Sequence, residues 1–380
     1  MSVPAPQRKL KVMWLGFRGF PDVQGGVETH AEQICPRLVE LGCEVYAVVR
    51  APYMTAASLV PWRGVRYLRL WAPRNRALEA LVHTFLGVLV AAWRRPDVLH
   101  IQAIGPALCV PLARAFGLRV VFTHHGPDYD RQKWGRFARL TLQLGEWAGA
   151  RFANAGIAIS ATIRALVAQK HHRELDLIPN GVVTPTIPRS TDVLQRFGLE
   201  PGRFVLIVSR LVPEKRHADL IEAFATAQVP DWKLVIVGAA DHRDAYAESV
   251  ERQAAMTPGV VMTGFQRGVA LAELYTHAAV FVLPSSHEGL PIALLEALSY
   301  GLPVLASDIP ANLEVGLDAS QYFGLGDVPA LAAALRRSAA QAATPAQRQA
   351  VQSWITARYD WRQIAAATLA VYRRIAPTGP

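Results

Sequence analysis

The chain has 380 residues, 51% hydrophobic and 18% charged, which is globular material long enough for two domains and excludes a disordered or fibrous protein. Its three cysteines, Cys35, Cys43 and Cys109, show neither CxxC nor Cys/His ligand spacing, which argues against a disulfide or zinc framework and for a reducing compartment. The net charge of +10 sits in the first half: residues 1–185 hold 23 Lys/Arg against 12 Asp/Glu, and residues 186–380 hold 17 against 18. A basic half beside a neutral one points to an anionic contact on the first half, an anionic membrane surface or a phosphorylated acceptor. A basic nucleic-acid-binding protein is the alternative from a different class, but no helix-turn-helix, RNA-binding or zinc-finger pattern accompanies the charge, so no nucleic-acid partner is expected.

The opening residues are basic but lead into an apolar run of only strand length, so no signal peptide is read there. Lys11–Leu15 reads as a first buried strand, followed by the glycine-rich loop Gly16–Gly26 and a helix from Val27 to about Leu41. That order makes a phosphate-cradling unit, although it fits neither G-x-G-x-x-G nor a P-loop. A dehydrogenase fingerprint is therefore missing. Further strands read at Glu44–Val49, Val65–Leu70, Asp97–Gln102 and Arg119–Thr123, with helical patterns between them, which is the grammar of a parallel β/α sheet. The apolar stretch 77–93 is interrupted by Glu79 and His83 and is too short to span a bilayer comfortably, so a core helix is expected.

The strand ending at Thr123 runs into His124-His125-Gly126-Pro127-Asp128. Two histidines at the binding edge of a sheet can orient a substrate or act as acid or base, and they can equally be a satisfied loop pair. Asp130 to Trp134 follows, then a helix to about Ala150, the short apolar run Ile157–Ile159, and Ser160 as a helix cap. Leu177–Val182 reads as a strand ending in a turn, and 183–191, rich in Pro and Thr, as a linker.

The second half repeats the grammar. The strand Arg203–Val208 exits through Ser209-Arg210-Leu211-Val212-Pro213-Glu214-Lys215-Arg216, where a planar fork and a point charge together can neutralise a diphosphate. Lys233–Val237 ends at Gly238, and Val260–Met262 at Gly264-Phe265. Ala279–Leu283 leads to Pro284-Ser285-Ser286, then Glu288-Gly289 and a helix from about Leu290-Pro291 that carries Glu296 two turns on and closes at Tyr300-Gly301. A helix mouth attracts phosphate, and a carboxylate beside it accepts hydrogen bonds from sugar hydroxyls, so the pattern suits a ligand that is both sugar and diphosphate. Pro303–Ala306 is the next strand, amphipathic helices follow Asp327, and a last helix runs from Trp361 to about Ile375.

Two β/α halves, an Arg-x4-Lys loop and a Glu-x7-Glu motif together resemble the family 4 retaining glycosyltransferases of the GT-B fold, over nearly the whole chain. The most specific parts are Ser209–Lys215 and Glu288-Gly289-Leu290-Pro291 through Glu296-Ala297. Arg18-Gly19, Gly25-Gly26-Val27-Glu28-Thr29 and His125-Gly126 through Trp134 are similar to a subset linked to rhamnosyl and related transfers in bacterial surface polysaccharides. The resemblance implies an α/β fold of two Rossmann-like β/α/β domains facing across a cleft: 1–185 on the acceptor side, 186–360 for the nucleotide-sugar, and 361–380 as a helix returning to the first domain.

It implies, further, a hexosyltransferase whose donor substrate is a nucleotide-diphospho-sugar, with no cofactor and with retention of configuration. No Asp-x-Asp metal clamp is read in the sequence, so Arg210, Lys215 and a helix dipole are expected to do a metal's work and the transfer to be metal-independent. The acceptor would be a saccharide or lipid-pyrophosphate-linked saccharide, met in the cytoplasm or at the inner face of the cytoplasmic membrane. In this reading Arg210 and Lys215 hold the diphosphate. Glu296 binds the ribose, and Glu288 holds the donor sugar with the N–H groups of Gly289 and Leu290. Gly25 and Gly26 approach the diphosphate, His125 sits near the reacting carbon, and Gly264-Phe265 lies by the base. Arg18, Asp128, Arg131 and Lys133 face the acceptor. Two departures stand out: Arg216 follows Lys215 where the family often has glycine, and the His124-His125 doublet leaves two candidates for one role.

Overall fold

The computed structural model describes residues 8–55, 60–75, 78–130, 135–240 and 244–376. They form two compact units, one made of residues up to 180 plus those from 361 onward, the other of residues 181–360. The first division therefore falls at Asn180, a few residues ahead of the expected 185, and 181–185 go with the second unit.

The first unit is built on β1 (Lys11–Leu15), β2 (Glu44–Arg50), β3 (Arg66–Leu70), β4 (Val98–Gln102), β5 (Val120–His124), β6 (Ala155–Ala158) and β7 (Asp176–Leu177). These pair in the order β3-β2-β1-β4-β5-β6-β7, every neighbouring pair parallel. Its helices are α1 (Gly26–Glu40), α2 (Glu79–Arg94), α3 (Ile104–Ala107), α4 (Val110–Ala115), α5 (Arg136–Phe152) and α6 (Ala161–His171). Alternate residues of β1 feed opposite cores: Val12 and Trp14 pack with Ile34 of α1, and Met13 and Leu15 with Val88 of α2 and Ile104 of α3. A sheet covered on both faces explains the unbroken apolar runs. The chain's last helix, Trp361–Ile375, packs on α1 and sends Trp361, Leu369 and Tyr372 into the first of these cores.

The second unit holds β8 (Phe204–Val208), β9 (Lys233–Val237), β10 (Val260–Gly264), β11 (Val280–Leu283), β12 (Val304–Ser307) and β13 (Tyr322–Phe323). They run parallel in the order β10-β9-β8-β11-β12-β13. Its helices are α7 (Asp192–Phe197), α8 (His217–Ala227), α9 (Ala245–Met256), α10 (Gly268–His277), α11 (Ile292–Ser299), α12 (Pro310–Leu313), α13 (Val328–Ala340) and α14 (Pro345–Arg358). Val205, Ile207, Val280 and Val282 pack against Leu220 and Ile221 of α8 and Leu331 and Leu335 of α13. In each sheet the strand order reverses once, between β1 and β4 and between β8 and β11. Ligands of doubly wound sheets bind at such reversals, beyond the strands' C-terminal ends.

Three expectations need correcting. The stretch read as a core helix is α2, which is buried on one face only: Glu79 and His83 point inward beside Val88 and Ala91, while Phe85, Leu89 and Trp93 are exposed. Glu79 is held inside by Arg50 at 3.2 Å and by the Tyr53 hydroxyl at 3.2 Å. Leu177–Val182 is a strand only over Asp176–Leu177, since just Ile157 and Ala158 of β6 offer it partners. Helix α11 begins at Ile292, with Pro291 at its N-cap in extended conformation and Leu290 buried ahead of it.

Candidate active site

In the second unit the site is carried by the two loops that leave β8 and β11, the strands flanking the reversal. The loops are stitched together by the Ser286 N–H, which donates to the Glu214 carbonyl at 2.9 Å. Beside that contact Lys215 Nζ donates to Glu288 Oε1 at 2.5 Å, with the two side chains only 17% and 10% exposed. Arg210 sits half-buried at the start of the same β8 loop. His217 closes the loop, its Nε2 lying 2.9 Å from Ser209 Oγ and its Nδ1 3.2 Å from the Tyr246 hydroxyl. Burial, then the charge of Lys215, push the His217 imidazole down to about 3, so His217 itself is neutral at neutral pH.

Arg216 occupies the position where glycine was noted as usual, and its backbone explains the preference. It is left-handed, at φ +50° and ψ +45°, a conformation that strains residues with a Cβ. Its guanidinium compensates by binding Asp219 Oδ2, with Nε at 2.6 Å.

Past β11, the carboxylate of Glu288 and residue Gly289 are half-buried, and Glu296 lies on α11, where the buried Tyr275 hydroxyl donates to its Oε2 at 3.1 Å. Tyr300 stacks on Tyr275 with ring centroids 5.1 Å apart; burial, then Glu296, push its phenol up to about 12. Gly264 and Phe265 end β10 two strands away, both exposed, with Gly264 at φ +70°. The structure thus brings Lys215 and Glu288 into contact, keeps Arg210 on the loop that carries Lys215, and sets Glu296 one helix further on.

In the first unit the loop after β1 is folded around one buried carboxylate. Glu28 of α1 accepts from the Arg18 backbone N–H at 3.1 Å and from Arg18 Nε at 3.0 Å, and Arg18 Nη2 also donates to the Gln24 carbonyl. Burial pushes the Glu28 carboxyl up, and the Arg18 charge and hydrogen bonds pull it below the usual range. Arg18, expected on the acceptor side, is thereby tied to its own loop. A Cβ on Gly25, at φ +153°, would fall 2.0 Å from Glu28 Oε2 and 2.6 Å from Arg18 Nη2, whereas one on Gly26 would meet nothing within 4 Å.

The two histidines separate cleanly. His124 is fully buried: its Nδ1 accepts from the Gly126 N–H at 3.1 Å, so Nε2 carries the proton and donates to Glu146 at 3.0 Å. Glu146 also accepts from Tyr129 at 2.9 Å, Lys170 at 2.7 Å and His171 at 2.7 Å. Burial pushes that carboxyl up, and the donors, His124 first, outweigh it and hold it far below the usual carboxylate range. His124 is therefore committed to structure. His125 stays half-buried beyond the strand end, with His30 edge-on to its ring at 4.9 Å and Gln102 Oε1 2.8 Å from its Nε2. His30 is fixed in turn by Asn180 Oδ1 at 3.0 Å and by the Trp361 ring at 5.6 Å.

Asp128 opens a short 3-10 turn in which Tyr129 is buried and Asp130 exposed; the sequence thus does hold an Asp-x-Asp spacing, contrary to the expectation that it has none. Arg131 and Lys133 lie outside the described residues. Sequence reading assigns His30, Gln102 and Glu146 no role, and Glu28 only a place in the stretch Gly25-Gly26-Val27-Glu28-Thr29. Glu146 was visible as the one acidic residue of the helix 136–152, and such a residue signals an interior partner.

The description "Glycosyltransferase Family 4" matches residues 24–184, and "Glycosyl transferases group 1" matches residues 194–341. The 2-deoxystreptamine N-acetyl-D-glucosaminyltransferase of Streptomyces fradiae is 28% identical, covering 86% of this chain and 84% of its own length. The GDP-mannose:cellobiosyl-diphosphopolyprenol alpha-mannosyltransferase of Xanthomonas campestris is 29% identical over 73% of each chain. Among solved structures, sucrose-phosphate synthase from Thermosynechococcus elongatus superposes with a TM-score of 0.81 at 22% identity, covering 97% of this chain and 99% of that one.

Proposed function

We propose, from the premise that this chain belongs to the family 4 glycosyltransferases of the GT-B fold, how it moves a hexosyl or deoxyhexosyl group from a nucleotide-diphospho-sugar to a saccharide or lipid-linked saccharide. The observation that carries the reading is the contact between Lys215 and Glu288 at the reversal of the second sheet. In the free protein the two charges satisfy each other. With donor bound, Lys215 and Arg210 turn to the diphosphate, while Glu288 and the N–H groups of Gly289 and Leu290 take the sugar hydroxyls. Glu296 binds the ribose, Gly264 and Phe265 flank the base, and Gly25 and Gly26 approach the diphosphate.

The bond between the anomeric carbon and the diphosphate oxygen breaks, and one to an acceptor hydroxyl oxygen forms at the same carbon, with retention, the hydroxyl proton leaving on the departing diphosphate. Negative charge grows on the departing diphosphate. Fixed donors aimed at such charge are worth about 3–4 kcal/mol each. His125 holds the donor sugar beside the reacting carbon, and no metal or cofactor takes part. Turnover that EDTA abolishes and magnesium or manganese restores would overturn this assignment, and the spacing of Asp128 and Asp130 would then be the first place to look. Thermal-shift measurement against UDP-, GDP-, ADP- and dTDP-sugars identifies the donor; stabilisation by none of them contradicts the reading.

The acceptor side we assign to Arg18, Asp128, Arg131 and Lys133, with a lipid-pyrophosphate-linked saccharide as substrate, in the making of bacterial surface or exopolysaccharide. A cytoplasmic enzyme held at the inner face of the membrane fits this. Supporting it, α2 exposes Phe85, Leu89 and Trp93, α5 exposes Phe137, Leu140 and Trp147, and both helices pack on α3. Arg94 and Arg95 end the first helix, and Arg136 begins the second. Among the described residues no helix is long and apolar enough to cross a membrane.

A further inference from the structure

β4 ends on Gln102, one of the two strands at the reversal of the first sheet, where a ligand is expected. Gln102 is completely buried, and the glycine that follows β1 passes directly over its backbone: a Cβ on Gly16 would lie 2.5 Å from the Gln102 main-chain carbonyl oxygen. One half of the carboxamide, Oε1, is 2.8 Å from His125 Nε2. The other half, Nε2, is buried and meets no acceptor among the described residues. Turning the amide over would orphan the oxygen instead and make imidazole Nε2 the acceptor. The amide's orientation and the His125 tautomer are therefore one choice, which the nitrogen spectra below decide.

A buried N–H without a partner is a desolvation cost that leucine or methionine would not incur at this position. What the carboxamide alone supplies is the contact to His125. That contact decides chemistry. If Nε2–H of the imidazole donates to Oε1, the proton is fixed on Nε2, and Nδ1 is left as a hydrogen-bond acceptor.

We propose that Gln102 is a positioning residue for glycosyl transfer, holding His125 in the Nε2-protonated tautomer so that its Nδ1 accepts a hydrogen bond from a substrate hydroxyl. This rests on the reading of His125 given above and extends it to a residue two strand positions beyond His100. The titratable groups facing His125 are His30 from α1, His100 from β4 and His124 from β5. Burial first, then these three neighbours, keep its imidazole neutral well below the usual histidine range.

The test uses Gln102→Leu and Gln102→Glu in the full-length enzyme, with His125→Ala as control. Gln102→Leu is expected to fold, since it removes the orphan donor, and to lose about 10- to 100-fold in kcat with both KM values little changed. Gln102→Glu keeps an acceptor but favours the imidazolium, so the acid limb of its kcat–pH profile is expected to move up by at least about one unit. Nitrogen-15 spectra of labelled histidine read the tautomer without any assay: the ring assigned through His125→Ala is expected Nε2-protonated in the wild type and mixed in Gln102→Leu. Wild-type kcat in Gln102→Leu, or an unchanged tautomer there, overturns the proposal. Full activity in His125→Ala instead removes His125 from the site, an outcome the nitrogen spectra tell apart.

Discussion

Lys215 and Glu288, 73 positions apart, neutralise each other across the switch point of the second sheet at 2.5 Å. A lysine and a glutamate this well shielded are costly alone and cheap together. The pair therefore keeps a cation in a partly dry site, where the proposed role would have it meet the diphosphate. Parallel strand order makes the meeting possible, because β8 and β11 are neighbours and both loops open from the same edge. That relationship is the centre of the functional reading.

The loop after β1 predicts opposite fates for two adjacent glycines. Gly25→Ala drives a methyl group into the Arg18–Glu28 pair, and stability should fall by about 1–3 kcal/mol, seen in urea melts. Gly26→Ala has open space, so its melting should match wild type within about 0.5 kcal/mol, while on the proposed approach of Gly26 to the diphosphate its donor KM should rise. Unchanged donor KM in a folded Gly26→Ala would place the diphosphate elsewhere.

Arg216→Gly should relieve left-handed strain worth about 1–2 kcal/mol, offset in part by greater freedom of the unfolded chain and loss of the Asp219 contact. The net expectation is equal or slightly higher thermal stability and activity within about twofold of wild type. A marked fall in activity would make the guanidinium part of the site.

Acid should unfold the chain earlier than its composition suggests. Burial first holds His30 and His83 at about 4, and burial then Lys215 holds His217 at about 3, against an ordinary histidine value of 6.5. Below pH 6.5 the unfolded chain takes up protons that these folded imidazoles refuse. Each then costs about 1.4 kcal/mol of stability per pH unit, down to its own folded value. Glu146, whose folded carboxyl lies below its ordinary 4.5, adds a further loss as pH falls beneath that value. Urea melts from pH 7 to 4 should show stability declining throughout; a flat profile would mean the histidines are charged in the native state.

The exposed faces of α2 and α5 predict flotation with anionic vesicles at low salt, weakened by Trp93→Glu combined with Trp147→Glu. Protein left wholly in the soluble fraction at low salt would refute a membrane contact.

What could be read from the chain followed the physics of burial. Strands sealed on both faces, such as Lys11–Leu15 and Lys233–Val237, announce themselves as apolar runs ending in glycine. β13 has two residues and no periodicity to show. The inward placing of Glu79 on α2 depends on Arg50, which no local pattern ties to it. Long-range partners were the hidden part: Glu146 draws its donors from three segments 17 to 25 positions away, and Tyr372 reaches His100 across 272. The motif residues were legible because their loops are local, whereas the residues that hold those loops are not. Deleting the last helix should accordingly cost folding as well as activity, since Trp361 and Tyr372 belong to the first unit's core.

The central claim is that Arg210 and Lys215 grip a nucleoside diphosphate beside Glu288. Calorimetric titration of UDP, GDP, ADP and dTDP into the wild-type protein and into Arg210→Ala combined with Lys215→Ala tests it directly. The account predicts that one nucleotide binds wild type and that the double variant, still folded, binds it at least about a hundredfold more weakly. Equal affinity in the two proteins would contradict it.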